Sequence, residues 1–191
     1  MGEAKDIFKP DNKTIQQIFR DTDAFYNMPI YQRPYSWDKE RVEQLWYDIV
    51  EAFRNNQNDP NLDSNYFLGS VVVVKKENGY EVVDGQQRLT TISLLLKKLD
   101  NDFDGLLMKK NYRHPISKNN IKYNFRIIDK WINTKFSNDE AKLKLKTKII
   151  DKCEFVLFTV YKQDEAFQLF DSQNARGKAL EPYDLLKAFH L

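Results

Sequence analysis

The sequence contains little cysteine or histidine, and it has no long apolar run. Cys153 is the only cysteine among 191 residues, which excludes a disulfide framework. The two histidines, His114 and His190, lie too far apart in the sequence to show metal-ligand or general-base spacing. No stretch approaches the roughly 18 apolar residues of a membrane-spanning helix, and the amino terminus lacks the basic-then-apolar order of a secretory signal. We therefore expect a cytoplasmic protein that has no membrane partner.

The overall composition is that of a globular protein. Hydrophobic residues make up 41% of the chain, charged residues 30%, and the formal net charge is +2. This length suits one domain with a core, or a domain with a helical appendage, and we favour the second. Residues 109–152 hold thirteen Lys and Arg against four Asp and Glu. The positive charge is therefore concentrated in one segment.

The stretch YEVVDGQQRLTTISLLL, residues 80–96, changes its hydrophobic period in the middle. The first part predicts a strand and the last a helix, joined by residues 84–88. A helix that starts there points unpaired N–H groups at the loop, which suits a phosphate. Arg88 adds a fork of donors, Gly85 permits close backbone approach, and Asp84 could hold a hydrated Mg²⁺ or orient a water.

An ordinary reading of this loop is a turn with a helix cap, in which Arg88 is a solvated surface cation. Loop chemistry alone favours that reading. Gln86 and Gln87, however, lie between a buried strand and a buried helix, where side-chain amides need hydrogen-bond partners. We therefore place the candidate site at this loop.

The amino-terminal part predicts two helices separated by extended chain. Thr14 and Gln17 form a possible capping box for a short helix. Residues 24–37, AFYNMPIYQRPYSW, contain two prolines that forbid a long helix, and residues 30–31 are a candidate strand. Ser36 or Asp38 can cap an amphipathic helix that runs to about Arg54.

Four polar and aromatic residues crowd the turn before that second helix: Gln32, Arg33, Tyr35 and Trp37. One interpretation is a turn held by aromatic packing. The other is a second polar wall that faces the Asp84 loop and places Arg33 on a phosphate. The local sequence leaves both interpretations open.

The run YFLGSVVVV, residues 66–74, predicts a strand that is buried on both faces. Asn78 and Gly79 then signal a hairpin that leads into the strand of residues 80–83. The candidate loop therefore follows the second strand of a hairpin. The dinucleotide-binding and Walker fingerprints are absent, which argues against a parallel nucleotide-binding fold.

The basic segment predicts two helices. Ile121, Phe125, Ile128 and Ile132 mark the first, and Ser137 with Glu140 could cap the second. The second carries four alternating lysines, a period that would also suit a strand: Lys142, Lys144, Lys146 and Lys148. These lysines form either a solvated face or a contact surface for DNA phosphates.

The last part predicts a strand at residues 153–161, a helix at 164–172 and a final helix that begins near Pro182. Cys153 is expected to be a core residue rather than a nucleophile, because no histidine partner is indicated. The final helical pattern is unbroken at Leu191, which predicts a longer parent protein with a further domain.

Three blocks of the chain together resemble a known family. They are PIYQRPYSW at residues 29–37, VVDGQQRLTTISLLL at 82–96 and FDSQNARGKALEPYDLLKA at 170–188. They are similar to the signatures of the DGQQR family, the ParB/sulfiredoxin-like domain of GmrSD-type modification-dependent restriction proteins. The blocks occur in the expected order and span nearly the whole chain. Glu181 departs from the family, which often has a serine-like cap there.

The resemblance implies an α+β fold with a small mixed sheet, a hairpin and flanking helices. It also implies that the domain binds and hydrolyses a nucleoside triphosphate with Mg²⁺, defends against phage DNA carrying modifications, and precedes an HNH-type nuclease domain. The implied catalytic residues are Asp84, Gln86, Gln87 and Arg88, and Asp84 is the implied metal ligand. The implied nucleotide-binding residues are Gln32, Arg33, Gly85, Arg88, Thr91, Asn174, Arg176, Asp184 and Lys187.

We accordingly predict a core at residues 1–100, a basic helical insertion at 101–152 and a completing block at 153–191. The function that the sequence favours is an NTP-hydrolysing sensor domain that does not cut DNA alone. One rival is a ParB-like nuclease in which Asp84 and Arg88 act directly on DNA. Another is a non-catalytic DNA-binding or partner-docking domain whose polar loop is structural.

Overall fold

A computed structural model describes residues 9–20, 26–29, 32–55, 65–103, 114–136 and 138–175. Its strands are β1 (Lys9–Thr14), β2 (Tyr26–Asn27), β3 (Tyr66–Lys76), β4 (Gly79–Asp84) and β5 (Cys153–Val160). Its helices are α1 (Ile15–Arg20), α2 (Lys39–Asn55), α3 (Gln86–Leu99), α4 (Pro115–Lys135), α5 (Asp139–Lys152) and α6 (Gln163–Ala175). The chain thus has the predicted α+β composition.

The five strands form one mixed sheet in the order β1-β5-β3-β4-β2. β3 and β4 form the predicted antiparallel hairpin, while β3 pairs with β5 in parallel. β1 closes one edge of the sheet and the two-residue β2 pairs with β4 at the other. The end of β4, where the candidate loop begins, therefore lies between the central strand and an edge.

The central strand β3 is buried on both faces, as its run of valines predicts. Val71 and Val73 belong to the larger core that the first five helices cover, and Val72 and Val74 belong to a smaller core on the other face. All four are at most 1% exposed. The smaller core includes Ala166 and Leu169 of α6. The sheet is therefore covered by helices on both faces.

Several local predictions are confirmed. The side chains of Thr14 and Gln17 bond to each other's backbone N–H groups at the start of α1. Asp38 caps α2 through the N–H group of Arg41, at 3.0 Å. The alternating lysines lie on a helix, α5, and not on a strand. No helix that the structure describes is both long and apolar enough to cross a membrane.

Other details differ from the sequence predictions. β1 was not predicted, because its sequence KPDNKT has little strand propensity and pairs only at an edge. The side chain that caps α5 is Asn138, which accepts from the N–H group of Ala141 at 2.7 Å, and not the predicted Ser137. The candidate strand at residues 30–31 lies outside the described residues, and the strand nearest to it is β2.

Candidate functional site

The loop between β4 and α3 makes its turn at a single glycine. Gly85 has φ +94°, in the region that favours glycine, and a β-carbon there would lie 2.7 Å from a methyl group of Val71. α3 begins immediately after it without a side-chain cap, and the first bond within the helix runs from the N–H of Leu89 to the carbonyl of Gly85. The backbone N–H groups before Leu89 therefore have no capping side chain, an arrangement that suits an anion.

Arg88 is not simply a solvated surface cation, because it bonds to the backbone of β3. Its Nη1 donates to the carbonyl of Leu68 at 3.0 Å and its Nη2 to that of Ser70 at 2.7 Å. Nη2 also lies 3.5 Å from a carboxylate oxygen of Asp84. Burial lowers the pKa of Arg88, and the Asp84 charge opposes that shift. The side chain is only 24% exposed, so part of its donor fork supports the sheet.

The bonds from Arg88 coincide with an irregularity in β3. Between Phe67 and Ser70 the pairing with β5 shifts, so that β3 contains one extra residue. Gly69 lies at this point with φ +108°. An extra residue interrupts the regular pairing of the strand, so that backbone carbonyls there need other donors. The guanidinium of Arg88 donates to two of these carbonyls, those of Leu68 and Ser70. The predicted phosphate ligand Arg88 is thus also a brace for the central strand.

Gln87 is 6% exposed and holds the segment PYSW, residues 34–37. Its Oε1 accepts from the N–H groups of Ser36 and Trp37, at 2.9 and 3.2 Å. Its Nε2 donates to the carbonyl of Pro34 at 3.1 Å. The buried amide therefore has the partners that its position requires, and these bonds join the first sequence block to the second.

Tyr35 lies at the centre of the PYSW segment and is fully buried. Its hydroxyl is 2.9 Å from the hydroxyl of Thr91 and accepts from Asn124 Nδ2 at 3.0 Å. Its backbone N–H donates to Ser117 Oγ, and its carbonyl accepts from Asn120 Nδ2. The segment is thus clamped between α3 and α4, and the predicted nucleotide-binding residue Thr91 is part of that clamp.

Gln32 and Arg33 lie close to the end of β4. Gln32 Nε2 donates to the carbonyl of Val83 at 2.7 Å, one residue before Asp84. Arg33 is exposed, and no hydrogen bond or ion pair joins it to another described residue. Arg33 therefore lies in the chain between two residues that are bonded to this region, Gln32 at the carbonyl of Val83 and Pro34 at Nε2 of Gln87. The packing interpretation is confirmed for Tyr35, which is fully buried, whereas the contact of Arg33 with a phosphate stays a prediction.

Gln86, the first residue of α3, leaves one polar atom without a partner. Its side chain is 7% exposed, and its Oε1 is buried without a hydrogen-bond partner. Such an orphaned acceptor costs about 1–3 kcal/mol. A donor from a ligand or a bound water would remove that cost. Gln86 is therefore the member of the DGQQR loop whose side-chain oxygen has no partner among the described residues.

Asp84 is the only predicted metal ligand, and its carboxylate is 29% exposed. No group of three or more His, Cys, Asp or Glu side chains that could hold a metal occurs in the part of the chain that the structure describes. Mg²⁺ that arrives with a nucleotide needs only one or two carboxylates, because phosphates and waters complete its shell. The site therefore fits a substrate-borne Mg²⁺ better than a dedicated cage.

The third sequence block is only partly described. Asn174 lies in the last turn of α6, which packs against β3, β4 and β5, but its side chain is outside the described part. Arg176, Asp184 and Lys187 lie outside the described residues. Their predicted nucleotide contacts remain predictions.

The α5 lysines point in two directions. Lys142 lies 3.8 Å from Asp139, and Lys146 Nζ bonds to Asp100 Oδ2 at 2.6 Å. Lys148 lies over the ring of Phe53, and Lys144 is exposed. A period of two places alternate residues on different sides of a helix. The four predicted DNA contacts therefore do not form one free row.

Sequence reasoning missed the α4 half of the clamp. Ser117 and Asn124 are buried at helical spacing from the partly buried Ile121 and the core residue Ile128. A polar residue at a core position needs a buried partner, and that signal was available in the sequence. It could not indicate that the partner was Tyr35.

The chain matches a protein-family model. The model described as "GmrSD restriction endonuclease, N-terminal domain" matches residues 15–191. No curated protein matches the chain. The matched range includes all three sequence blocks and both sides of the clamp.

Proposed function

Because the chain belongs to the family of GmrSD restriction endonuclease N-terminal domains, it is a domain of the restriction and phage-defence class, and we propose that it binds a nucleoside triphosphate at the DGQQR loop. In this proposal the domain hydrolyses the nucleotide and acts as the sensor of a modification-dependent restriction protein. Its partners are DNA carrying a modification and an HNH-type nuclease domain in the full-length parent.

The observation that carries the proposal is the convergence at the start of α3. Uncapped N–H groups and the unpartnered Gln86 Oε1 lie at the start of α3. The exposed Arg33 follows Gln32, which bonds to the carbonyl of Val83 directly before the loop. Backbone donors at a helix terminus and an unpaired guanidinium both favour phosphate oxygens. The orphaned amide oxygen supplies an acceptor for a hydroxyl or amine on the same ligand.

In the proposed hydrolysis, Asp84 acts on Mg²⁺ or on the attacking water rather than on the nucleotide itself. Mg²⁺, when bound with the nucleotide, would neutralise charge on the phosphates, and Asp84 is the residue that would hold it. Without that role, the partly exposed carboxylate can orient a water toward the terminal phosphate. Arg88 acts on Asp84, since its guanidinium lies 3.5 Å from the carboxylate and its bonds to β3 fix their relative position.

A second candidate is a DNA-binding or partner-docking domain without catalysis. Its supporting observation is that Gln87, Arg88 and Thr91 all bond to the protein itself. A loop whose side chains are used in this way can contribute to stability alone. The two candidates differ in whether Arg33 and the start of α3 have a ligand.

Titration of the purified chain with ATP, GTP, CTP and UTP, each with Mg²⁺, tests the first candidate. We expect one or more to bind and to release phosphate. Arg33→Ala should weaken that binding by about tenfold or more, since a charge-assisted contact contributes about 1.5–3 kcal/mol. Arg41→Ala, which removes another exposed arginine, is the matched control and should bind normally.

Arg88→Ala is expected to weaken nucleotide binding as well, but it should also lower the free energy of unfolding because two β3 carbonyls lose their donors. Arg33→Ala should lower affinity alone. If none of the four nucleotides binds the folded chain, the second candidate replaces the first.

Incubation of the chain with modified and unmodified DNA, Mg²⁺ and each nucleotide tests the nuclease alternative. We expect no cleavage by this chain alone. Nicking that disappears in Asp84→Ala would instead assign direct DNA cleavage to the loop.

A further inference from the structure

We propose that the outer face of α4 is the surface that docks the phosphate backbone of double-stranded DNA. This inference deepens the proposed function, since it places the DNA partner on a particular helix, and it relocates the contact from the lysines of α5. Its evidence is independent of the nucleotide loop.

The face carries four cations at four-residue intervals, called here the α4 basic row: Lys118, Lys122, Arg126 and Lys130. Residues four apart lie one above the other on a helix, and each step rises about 6 Å. The α4 basic row therefore extends over about 18 Å along one side of α4. A DNA strand presents a phosphate for about every 3.4 Å of its axis, so several phosphates fit this length.

The cations of the α4 basic row are exposed, and none of them forms an ion pair with another described residue. The only acidic residue of α4 is Asp129, which pairs with Lys98 on α3 at 3.0 Å. The row therefore has a charge that the described protein does not neutralise. Lys142 and Lys146 of α5 differ, because each already has a carboxylate partner.

The remaining surface of α4 also suits DNA. Tyr123 is 53% exposed beside the row, and its hydroxyl can donate to a phosphate. Asn119 and Asn133 are exposed as well. A helix that binds an anionic membrane needs an apolar face to insert, whereas the exposed residues near the α4 basic row are mainly polar. The exposed large hydrophobic residues of the described α4 are Ile116 in its first turn, at 50%, and Tyr123, which is too little apolar surface for membrane insertion. Charge complementarity with so little apolar surface favours a nucleic-acid backbone.

The opposite side of α4 faces the PYSW segment. Ser117, Asn120 and Asn124 hold Tyr35, and Gln87 of α3 holds the same PYSW segment. One helix thus separates the proposed DNA surface from the segment next to the proposed nucleotide site. DNA and nucleotide would bind opposite sides of one packed layer, a suitable arrangement for a sensor.

The test measures binding of the chain to a 20-bp duplex over a range of salt concentrations, without nucleotide. Each phosphate contact contributes about 0.9 to the slope of log affinity against log salt. Replacing all four cations of the α4 basic row by Gln should reduce that slope by about 3 to 4 and weaken binding at least about tenfold at low salt. The single variants should each reduce the slope by about one, and they provide the test if the fourfold variant does not fold.

A matched control replaces four exposed lysines elsewhere by Gln: Lys39, Lys75, Lys76 and Lys162. It removes the same charge, and we expect the slope to be nearly unchanged. A third variant, with the four α5 lysines replaced, tests the alternative surface. If the α4 variant and the control lose DNA affinity and salt slope equally, the proposal is overturned. It is also overturned if only the α5 variant loses DNA affinity.

Two further measurements separate this proposal from the nucleotide site. The α4 variant should keep its nucleotide affinity, whereas Arg33→Ala should keep its DNA affinity. Vesicles with anionic phospholipids serve as the competing polyanion. Tight binding to vesicles together with no binding to the duplex would assign the α4 basic row to a membrane surface and overturn the DNA assignment.

Discussion

The guanidinium of Arg88 occupies the space where a β-carbon on Gly69 would have to lie. Gly69 lies where β3 contains one extra residue relative to β5. Arg88 donates to the carbonyls of the residues on either side of it, Leu68 and Ser70. Gly69 and the partly buried guanidinium therefore form one structural unit. This unit anchors the first turn of α3, and hence the loop before it, to the central strand.

Gly69→Ala should lower the free energy of unfolding by about 2 to 4 kcal/mol. The methyl group would be strained at φ +108° and would displace the guanidinium from its carbonyls. Urea denaturation of both proteins measures the difference.

A double-mutant cycle separates these two costs. Arg88→Ala should destabilise the Gly69→Ala protein less than it destabilises the natural sequence, because the bonds to β3 are already broken. If the two losses simply add, the contact between Gly69 and Arg88 does not carry the effect.

Tyr35→Phe should lower the free energy of unfolding by about 1 to 3 kcal/mol. The hydroxyl is buried between Thr91 on α3 and Asn124 on α4, so both side chains lose a partner. Tyr47→Phe removes a hydroxyl from a residue that is 64% exposed and should be nearly neutral. Equal stability of the two variants would show that the clamp does not depend on this hydroxyl.

The ion pair between Lys146 and Asp100 predicts a particular pH dependence. The hydrogen bond from Lys146 lowers the pKa of Asp100 from its ordinary 3.8. A carboxylate with a lowered folded-state pKa stabilises the fold above its unfolded pKa and loses that contribution as the pH falls through the folded value. Lys146→Gln should therefore destabilise by a few tenths to about 1 kcal/mol at pH 7 and by progressively less below pH 3.8.

Denaturation of both proteins between pH 7 and pH 3 measures this difference. Lys144→Gln removes an exposed charge from the same helix and should show little pH-dependent difference. A constant difference for Lys146→Gln over the whole range would exclude a role for the Asp100 charge.

The single thiol should not react in the folded protein. Cys153 is fully buried, and burial raises its pKa to about 12, so almost no thiolate is present at pH 8. A coloured disulfide reagent should label the unfolded chain stoichiometrically and the folded chain much more slowly. Rapid labelling of the folded chain would contradict the assignment of Cys153 to the core.

The α+β fold class and most elements could be predicted, because their signals are local. The valines of β3, the Asn78-Gly79 turn and the capping side chains of Thr14 and Asp38 each specify structure over a few residues. β1 could not be predicted in this way, because its polar sequence becomes a strand only through pairing with β5.

The sequence by itself determined that polar residues would gather at the loop after β4, since Gln86 and Gln87 stand between apolar elements that must be buried. Only the tertiary structure decided what those residues do. Gln87 bonds to the PYSW segment from more than 50 residues away in the chain, and Arg88 braces a bulge in β3, while Gln86 Oε1 and Arg33 have no described partner. The physical reason is that residue type sets how many hydrogen bonds a side chain needs, whereas packing of distant segments decides which partners meet that need.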